Sequence, residues 1–145
     1  LARLNISDDM DGILSRIQND LFDLGADLAP PIQPNSSGGE LRIVQAQIDR
    51  LEIEIDDINK NLKPLDSFIL PGGKSNATYL HVARTVTRRA ERLAIKLISE
   101  DNNEVKTNPL TAIYLNRLSD HLFVLSRKIN DNGATDVLWE PGKNR

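Results

Sequence analysis

The sequence predicts an all-α protein whose helices pack as an antiparallel bundle. Four segments carry apolar residues at every third or fourth position, the period of a helix face, and none shows sustained strand alternation. Each segment is about 20 residues long, and mostly short links favour neighbouring helices that run in opposite directions. The chain of 145 residues is long enough to enclose one core, so residues 1–145 are predicted to form a single domain.

The first two predicted helices are separated by a segment rich in proline and glycine. Ser7 is placed to cap the first helix, and its apolar stripe runs from Met10 to Leu28. The segment PPIQPNSSGG, residues 30–39, then breaks the helical pattern. The second helix is predicted from the apolar repeat between Leu41 and Leu62, and Pro64 ends it.

The third and fourth predicted helices flank the polar loop DNNEVKTN. The third covers residues 76–100, and the fourth runs to about Ile129 after Asn108 as cap and Pro109 at the first helical position. The residues predicted to face the core are Leu80, Ala83, Ala90, Leu93 and Leu97 in the third helix, and Leu110, Ile113, Leu118, Leu122, Leu125 and Ile129 in the fourth. The tail that follows is interrupted by glycine and proline and contains Trp139.

Composition excludes several classes of function. The formal net charge of −3 argues against a nucleic-acid-binding protein that relies on a general positive field. The chain has no cysteine, which excludes disulfides, a thiolate nucleophile and a zinc–thiolate site. No apolar run approaches the ~18 residues of a membrane-spanning helix.

Arginines are concentrated in the segment ARTVTRRAER of the third helix. Arg84, Arg88 and Arg92 are spaced four residues apart, so they share one face, where like charges repel unless an anion compensates. The spacing alone favours a solvated face that is ion-paired with neighbours such as Glu91. The alternative is a clamp for phosphate, whose oxygens match the guanidinium fork. The stripe of His81, Arg84 and Arg88 beside the apolar face favours this alternative, because a groove between helices would lie there.

The segment FILPGG also allows two interpretations. The pattern favours an interhelical loop whose Phe68 packs into the core. Alternatively, Phe68 forms an aromatic wall of a ligand pocket, and Gly72 and Gly73 let the backbone approach the ligand.

Other polar residues are given simpler interpretations. Asn116 is unfavourable inside a helix unless its amide has a partner, whereas Arg117 is expected to form a surface ion pair. His81 and His121 do not have the spacing of metal ligands, and no metal ligand is predicted. A solvated acidic face, rather than a cation site, is expected for Asp8, Asp9, Asp11, Asp20, Asp23 and Asp27.

Four segments together resemble the PduO-type ATP:cob(I)alamin (corrinoid) adenosyltransferases in their order and spacing. They are DLFDLGADLA, FILPGG followed by LHVARTVTRRAER, YLNRLSDHLFVLSR, and DVLWEPG, and they extend over nearly the whole chain. The resemblance implies a five-helix bundle, of which this chain holds about four helices, and a homotrimer with active sites between subunits. It also implies transfer of the 5′-deoxyadenosyl group of ATP to the cobalt of cob(I)alamin, with release of triphosphate.

The resemblance assigns roles to particular side chains. The residues assigned to ATP are Arg88, Glu91, Arg92 and Asn116, those assigned to the corrinoid are Phe68 and His81, and those assigned to catalysis are Arg84, Arg88 and Phe68. Mg²⁺ is expected to share the phosphate charge. The aromatic ring of Phe68 is expected to fill the face of the cobalamin from which the lower axial ligand has been removed.

The sequence departs from the family's pattern near its N-terminus. The family's ATP-binding loop and most of its first helix have no counterpart in the 145 residues, so this chain is expected to bind corrinoid but to hold ATP poorly. A non-catalytic corrinoid carrier or scaffold of the same fold is therefore the alternative function. A plain helical interaction domain would instead leave Arg88 and Asn116 pointing apart, whereas the enzyme requires them to converge. The expected partners are a flavin-dependent reductase or a cobalamin-dependent enzyme, and the expected location is the bacterial cytoplasm, with the mitochondrial matrix as the family's other location.

Overall fold

The protein is a bundle of four long helices with one short β-ribbon, as seen in a computed structural model that describes residues 1–4, 6–29, 41–101 and 106–145. Within these ranges the elements, in chain order, are α1 (Asp8–Leu28), α2 (Gln45–Asn59), β1 (Ile69–Leu70), α3 (Ser75–Ser99), α4 (Leu110–Ile129) and β2 (Val137–Leu138). The predicted helical bundle is confirmed. The segment PPIQPNSSGG and the middle of DNNEVKTN lie outside the described residues.

Helix α4 is the central element of the bundle. It packs along the length of α3 and against α2, and more sparingly against α1. Its Leu115, Leu118, Leu122 and Leu125 are buried, as predicted for three of them. They meet the core residues Leu14, Ile17 and Leu24 of α1, Ile48, Leu51 and Ile58 of α2, and Ala77, Leu80 and Ala94 of α3.

The predicted bounds hold closely for α1, α3 and α4, but α2 is shorter than predicted. It begins at Gln45 rather than Leu41, because Ile43 and Val44 form an extended segment. The backbone N–H of Ile43 donates to Asp27 Oδ2 at 2.8 Å, and that of Val44 donates to Gln47 Oε1 at 3.0 Å. These side-chain acceptors satisfy donors that precede and begin the helix.

Three predicted core residues are exposed instead. Leu93 and Leu97 lie on the outer side of α3, and Ile113 is exposed on α4. On α3 the buried positions that follow Leu80 and His81 are Thr87, Glu91 and Ala94. Helical periodicity identifies apolar stripes, but it does not say which stripe packs against the same chain.

Two of the aspartates predicted to lie on a solvated face are buried, which corrects that prediction. Asp20 accepts hydrogen bonds from Gln47 Nε2 at 2.9 Å, Arg50 Nη2 at 3.1 Å and the Tyr114 hydroxyl at 3.1 Å. Burial together with the Asp20 charge raises the pKa of Tyr114. These bonds compensate the cost of removing the carboxylate from water and tie α1 to α2 and α4.

Asp27 is the second buried aspartate, and it joins the ends of three helices. Besides Ile43, it accepts from Arg42 Nη1 at 2.8 Å and from Asn108 Nδ2 at 2.7 Å. Asn108 also accepts the N–H of Leu110 at 3.1 Å, so its side chain caps α4 as predicted.

The β-ribbon was not predicted. β1 pairs antiparallel with β2 through Ile69 with Leu138 and Leu70 with Val137, which joins the α2–α3 link to the tail after α4. Each strand is only two residues long, too short for an alternating pattern to be recognised.

Candidate functional site

The predicted site residues of α3 lie along its seam with α4. Three side-chain contacts follow one another along the seam. Each step toward the C-terminus of α3 is matched by an equal number of residues toward the N-terminus of α4. In order, the contacts are His81 Nε2 with Ser126 Oγ at 3.3 Å, the Arg84 guanidinium over the Phe123 ring at 5.9 Å, and Glu91 Oε1 with Asn116 Nδ2 at 2.8 Å. The antiparallel packing therefore turns a linear motif into a continuous track of polar and aromatic groups.

Arg88 and Asn116 converge on the carboxylate of Glu91. Arg88 Nη1 is 2.6 Å from Glu91 Oε2, and Asn116 Nδ2 donates to Glu91 Oε1. Glu91 is only 5% exposed, whereas the Arg88 side chain reaches the surface. A buried carboxylate thus holds one end of an accessible guanidinium, an arrangement that suits the binding of an external anion.

Asn116 is fixed from its other end by Arg117. Arg117 donates to Asn116 Oδ1 from Nε at 3.1 Å and from Nη2 at 2.5 Å, and it also forms the predicted surface ion pair, with Asp120 at 2.9 Å. Because its oxygen faces a guanidinium and its nitrogen faces a carboxylate, the orientation of the Asn116 amide is determined. The contact between Arg117 and Asn116 was not predicted, since neighbouring residues on a helix do not normally face each other.

Arg84 and His81 lie on the same track with unsatisfied polar atoms. Arg84 Nε and His81 Nδ1 are buried and have no hydrogen-bond partner in the described part of the chain. Burial and the nearby Arg84 lower the pKa of His81, while Asp136 opposes this shift, so the environment favours the neutral ring. The Ser126 hydroxyl donates to the Phe123 carbonyl at 2.7 Å, so His81 Nε2 carries the proton that Ser126 Oγ accepts.

Phe68 lies at the surface, which contradicts the favoured interpretation that it packs into the core. The residue is 76% exposed directly before β1, and its ring meets the Trp139 ring edge to face with the centroids 5.8 Å apart. Gly73 has φ +89, and a Cβ there would lie 2.4 Å from Asn130 Oδ1. This glycine therefore allows a close approach to α4, rather than to a ligand as the sequence suggested.

Arg92 is not part of the Glu91 cluster. It is exposed on α3, one turn beyond Arg88, and within the described ranges its side chain makes no hydrogen bond or ion pair.

Phe123 and Trp139 are the aromatic neighbours of the track that sequence reasoning missed. Their signals were faint, because one aromatic follows a leucine stripe and the other lies in an irregular tail.

His121 occupies a different part of the molecule. Its Nε2 is 2.9 Å from Glu54 Oε2, and Glu54 also pairs with Arg16. Burial acts to raise the pKa of Glu54, but the contacts with His121 and Arg16 outweigh it and lower that pKa.

Among the residues that the structure describes, no group of three or more His, Cys, Asp or Glu side chains could hold a metal ion. No helix in the described ranges is both long enough and apolar enough to span a bilayer.

Comparison with known proteins defines the family. The family described as "Cobalamin adenosyltransferase" matches residues 1–129. The corrinoid adenosyltransferase of Mycobacterium tuberculosis is 53% identical over 133 residues, which is 92% of this chain and 67% of that protein. The corrinoid adenosyltransferase of Bacillus subtilis is 38% identical over 134 residues, which is 92% of this chain and 65% of that protein.

A solved structure shares the fold. A phenylalanine-to-alanine variant of the PduO-type ATP:corrinoid adenosyltransferase of Lactobacillus reuteri, complexed with cobalamin and ATP, matches with a TM-score of 0.82 and 34% identity. The match covers 96% of this chain and 76% of that chain. The fold and the seam define a helical-bundle protein with arginines gathered where α3 packs against α4. The chain belongs to the cobalamin adenosyltransferase family.

Proposed function

We propose that this chain transfers the 5′-deoxyadenosyl group of ATP to the cobalt of cob(I)alamin. The electron pair of Co(I) attacks C5′ of the ribose, the C5′–O bond breaks, and triphosphate leaves with the bonding pair, which gives adenosylcobalamin. The observation that carries the proposal is the convergence of Arg88 and Asn116 on Glu91 in a member of this family. Since the metal centre is the nucleophile, the protein needs no serine, cysteine or histidine base.

The protein's contribution to the nucleotide is orientation and positive charge. Arg88 is the main phosphate contact, because its guanidinium is anchored at Glu91 yet reaches the surface. Arg84 and Arg92 add positive charge where the leaving triphosphate accumulates negative charge. Asn116 helps to hold the nucleotide so that C5′ points toward cobalt.

Mg²⁺ fits this site as an ion that the nucleotide brings with it. Among the described residues, Glu91 Oε1 accepts a hydrogen bond from Asn116 Nδ2, whereas the buried Oε2 lies 2.6 Å from Arg88 Nη1 without forming a hydrogen bond. Mg²⁺ commonly keeps several waters and binds through substrate phosphates with only one or two carboxylates. When bound, the ion would neutralise part of the triphosphate charge.

The corrinoid is assigned to the end of the track near the N-terminus of α3. Phe68, presented at the surface, covers the lower face of the corrin and excludes water or a base from the axial position. A donated axial lone pair raises the energy of the orbital that the incoming electron must occupy, so its removal makes Co(II) easier to reduce. His81 is only 2% exposed, so its role at the corrinoid would be to support this end of the track from within the bundle.

Assembly as a homotrimer, with active sites between subunits, is part of the proposal. The outer side of α3 supports it, since Tyr79, Val82, Val86 and Leu93 are all exposed there. An apolar stripe of this kind on a protein surface marks an interaction site. A flavin-dependent reductase or a cobalamin-dependent enzyme is the expected partner, and the bacterial cytoplasm is the expected location.

Anaerobic formation of adenosylcobalamin from cob(I)alamin and MgATP tests the proposal. The 145-residue chain and the complete gene product are assayed in parallel, together with Arg88→Ala. We expect Arg88→Ala to lose about 100-fold in activity, as removal of one charge-stabilising donor does, and to keep the helical circular dichroism spectrum of the bundle.

Lys60→Ala is the matched control, because Lys60 is an exposed basic residue after α2 that pairs with Asp57 and makes no contact with Arg88, Glu91 or Asn116. It should retain activity. Loss of the fold in Arg88→Ala would leave the phosphate clamp unsupported. If both wild-type forms bind corrinoid but neither makes adenosylcobalamin, the protein is a carrier and not an enzyme.

A further inference from the structure

The ribbon that carries Phe68 is held by a buried ion pair at the end of α4. Arg127 Nε donates to Asp136 Oδ2 at 2.8 Å, and these side chains are only 5% and 2% exposed. Arg127 Nη2 also donates to the carbonyl of Lys63 at 2.6 Å. Arg127 therefore binds both Lys63, at the start of the α2–α3 link, and Asp136, which precedes β2.

Asn130 holds the other end of the same link. Its Oδ1 accepts the N–H of Lys74 at 3.0 Å, and its Nδ2 donates to the carbonyl of Gly72 at 3.1 Å and to Asp136 Oδ1 at 3.3 Å. The Asn130 side chain is fully buried, and Gly73, which has no Cβ, leaves it the necessary space. Both ends of the segment from Lys63 to Lys74 are thus attached to the last turns of α4.

A strained turn brings Asp136 into this position. Asp131, Asn132 and Gly133 have positive φ angles of 54°, 55° and 90°, respectively, and they reverse the chain after α4. The N–H of Gly133 donates to the carbonyl of Arg127 at 2.9 Å, and a Cβ at Gly133 would lie 2.7 Å from Arg127 Nη2. Consecutive left-handed residues persist only where the surroundings determine them, as the buried ion pair does here.

The Phe68 ring is not held in place by burial in the core. The ring is mostly exposed, and its aromatic contact is with Trp139. The backbone around it is nevertheless fixed by the bond from Trp139 N–H to the Phe68 carbonyl at 2.8 Å and by the bond from the Ser67 hydroxyl to the Trp139 carbonyl at 2.8 Å. The structure therefore orders an exposed aromatic residue through its neighbours.

We propose that Arg127, Asn130, Asp136 and Trp139 are positioning residues for Phe68. They act on the corrinoid and not on the nucleotide, since none of their hydrogen bonds or ion pairs involves Arg88, Glu91 or Asn116. The inference rests on the proposed transferase function. It adds that the precision of the corrinoid site is set by a buried polar network beneath the ribbon.

The test separates the two substrates by steady-state kinetics on the complete gene product. Asp136→Asn removes the charge that Arg127 requires, and Trp139→Leu removes the ring beside Phe68 at an exposed position. With cob(II)alamin as substrate and a reductant supplied in excess, we expect kcat/KM for the corrinoid to fall about tenfold in both variants, because a small displacement of a positioning group is costly, and KM for ATP to stay within about twofold.

A corrinoid without its lower base gives a second readout. If the ribbon serves to replace the lower base, activity with cob(II)inamide, which lacks that base, should fall less in the variants than activity with cob(II)alamin does. In electron paramagnetic resonance of bound cob(II)alamin with MgATP, the nitrogen splitting from the lower base should vanish in the wild type and persist in the variants. A purely structural defect would lower activity with both corrinoids to the same extent and would leave the spectrum of bound cob(II)alamin as in the wild type.

Asp20→Asn is the control, because it weakens a buried carboxylate network in another part of the bundle. Folded variants with unchanged corrinoid kinetics would overturn the inference, as would equal losses for ATP and corrinoid. If Asp136→Asn does not fold, Trp139→Leu decides. Absence of product from the wild type would contradict the proposed function itself, whereas an active wild type with unaffected variants contradicts only the positioning role.

Discussion

At the scale of single residues, the seam between α3 and α4 contains polar atoms that the bundle does not satisfy. Arg84 Nε and His81 Nδ1 are buried without a partner among the described residues, although such atoms are usually paired in native proteins. Both belong to the stripe that the sequence singled out beside the apolar face. Their cost to folding is consistent with a site whose partners arrive with a ligand or another chain.

His81 should make stability depend on pH. Its pKa in the folded protein lies below the ordinary value of 6.5, so below that pH the unfolded chain binds a proton that the folded state resists. The free energy of unfolding is therefore at its full value above about pH 6.5 and falls as the pH decreases through this value. Urea unfolding at about pH 7.5 and about pH 5.5 measures the change.

His81→Gln is the comparison for this prediction, because glutamine keeps a polar side chain that does not titrate. The wild type should lose more stability between the two pH values than the variant does. Equal losses would show that other groups cause the dependence, and that Arg84 and burial do not hold His81 neutral.

At the scale of elements, the helices are joined by buried carboxylates as much as by leucines. Asp20 connects α1 to Gln47 and Arg50 of α2 and to Tyr114 of α4. The helices themselves were predictable from periodicity and caps, because these signals are local. The burial of Asp20 was not predictable, since an aspartate in an acidic helix is normally solvated and its partners lie about 30 and 90 residues away.

Asp20→Ala should therefore destabilise the bundle strongly. Removal of the carboxylate leaves the Tyr114 hydroxyl buried without its acceptor and takes the charge partner from Arg50. We expect a loss of about 3 kcal/mol in the free energy of unfolding, as for other buried pairs that lose one partner. Urea denaturation measures it, and Asp23→Ala on the same helix should change stability by less than about 1 kcal/mol.

At the scale of the whole molecule, the sequence predicted which side chains converge better than it predicted their environment. Arg88 and Asn116 were expected to converge if the family resemblance held, and the antiparallel seam brings both of them to Glu91. Phe123 and Trp139 were missed because their places depend on which helices are neighbours and on a ribbon of two-residue strands. The exposure of Phe68 likewise depends on the tertiary structure, since the segment FILPGG is compatible with either a core loop or the wall of a ligand pocket.

The outer stripe of α3 leads to a prediction about assembly. Val82, Val86 and Leu93 are spaced as on one face of a helix and are exposed, beside the arginines of the proposed site. If this stripe lies between subunits, Val86→Glu buries a charge in the interface and should convert a trimer into monomers. Sedimentation equilibrium of wild type and variant measures the change, and Thr85→Glu, an exposed neighbour off the stripe, should remain trimeric. Monomeric wild-type protein would contradict the trimer, and a trimeric but less stable Val86→Glu variant would show that the stripe packs within one subunit. Loss of transfer activity on dissociation is expected as well, because a site between subunits is incomplete in the monomer.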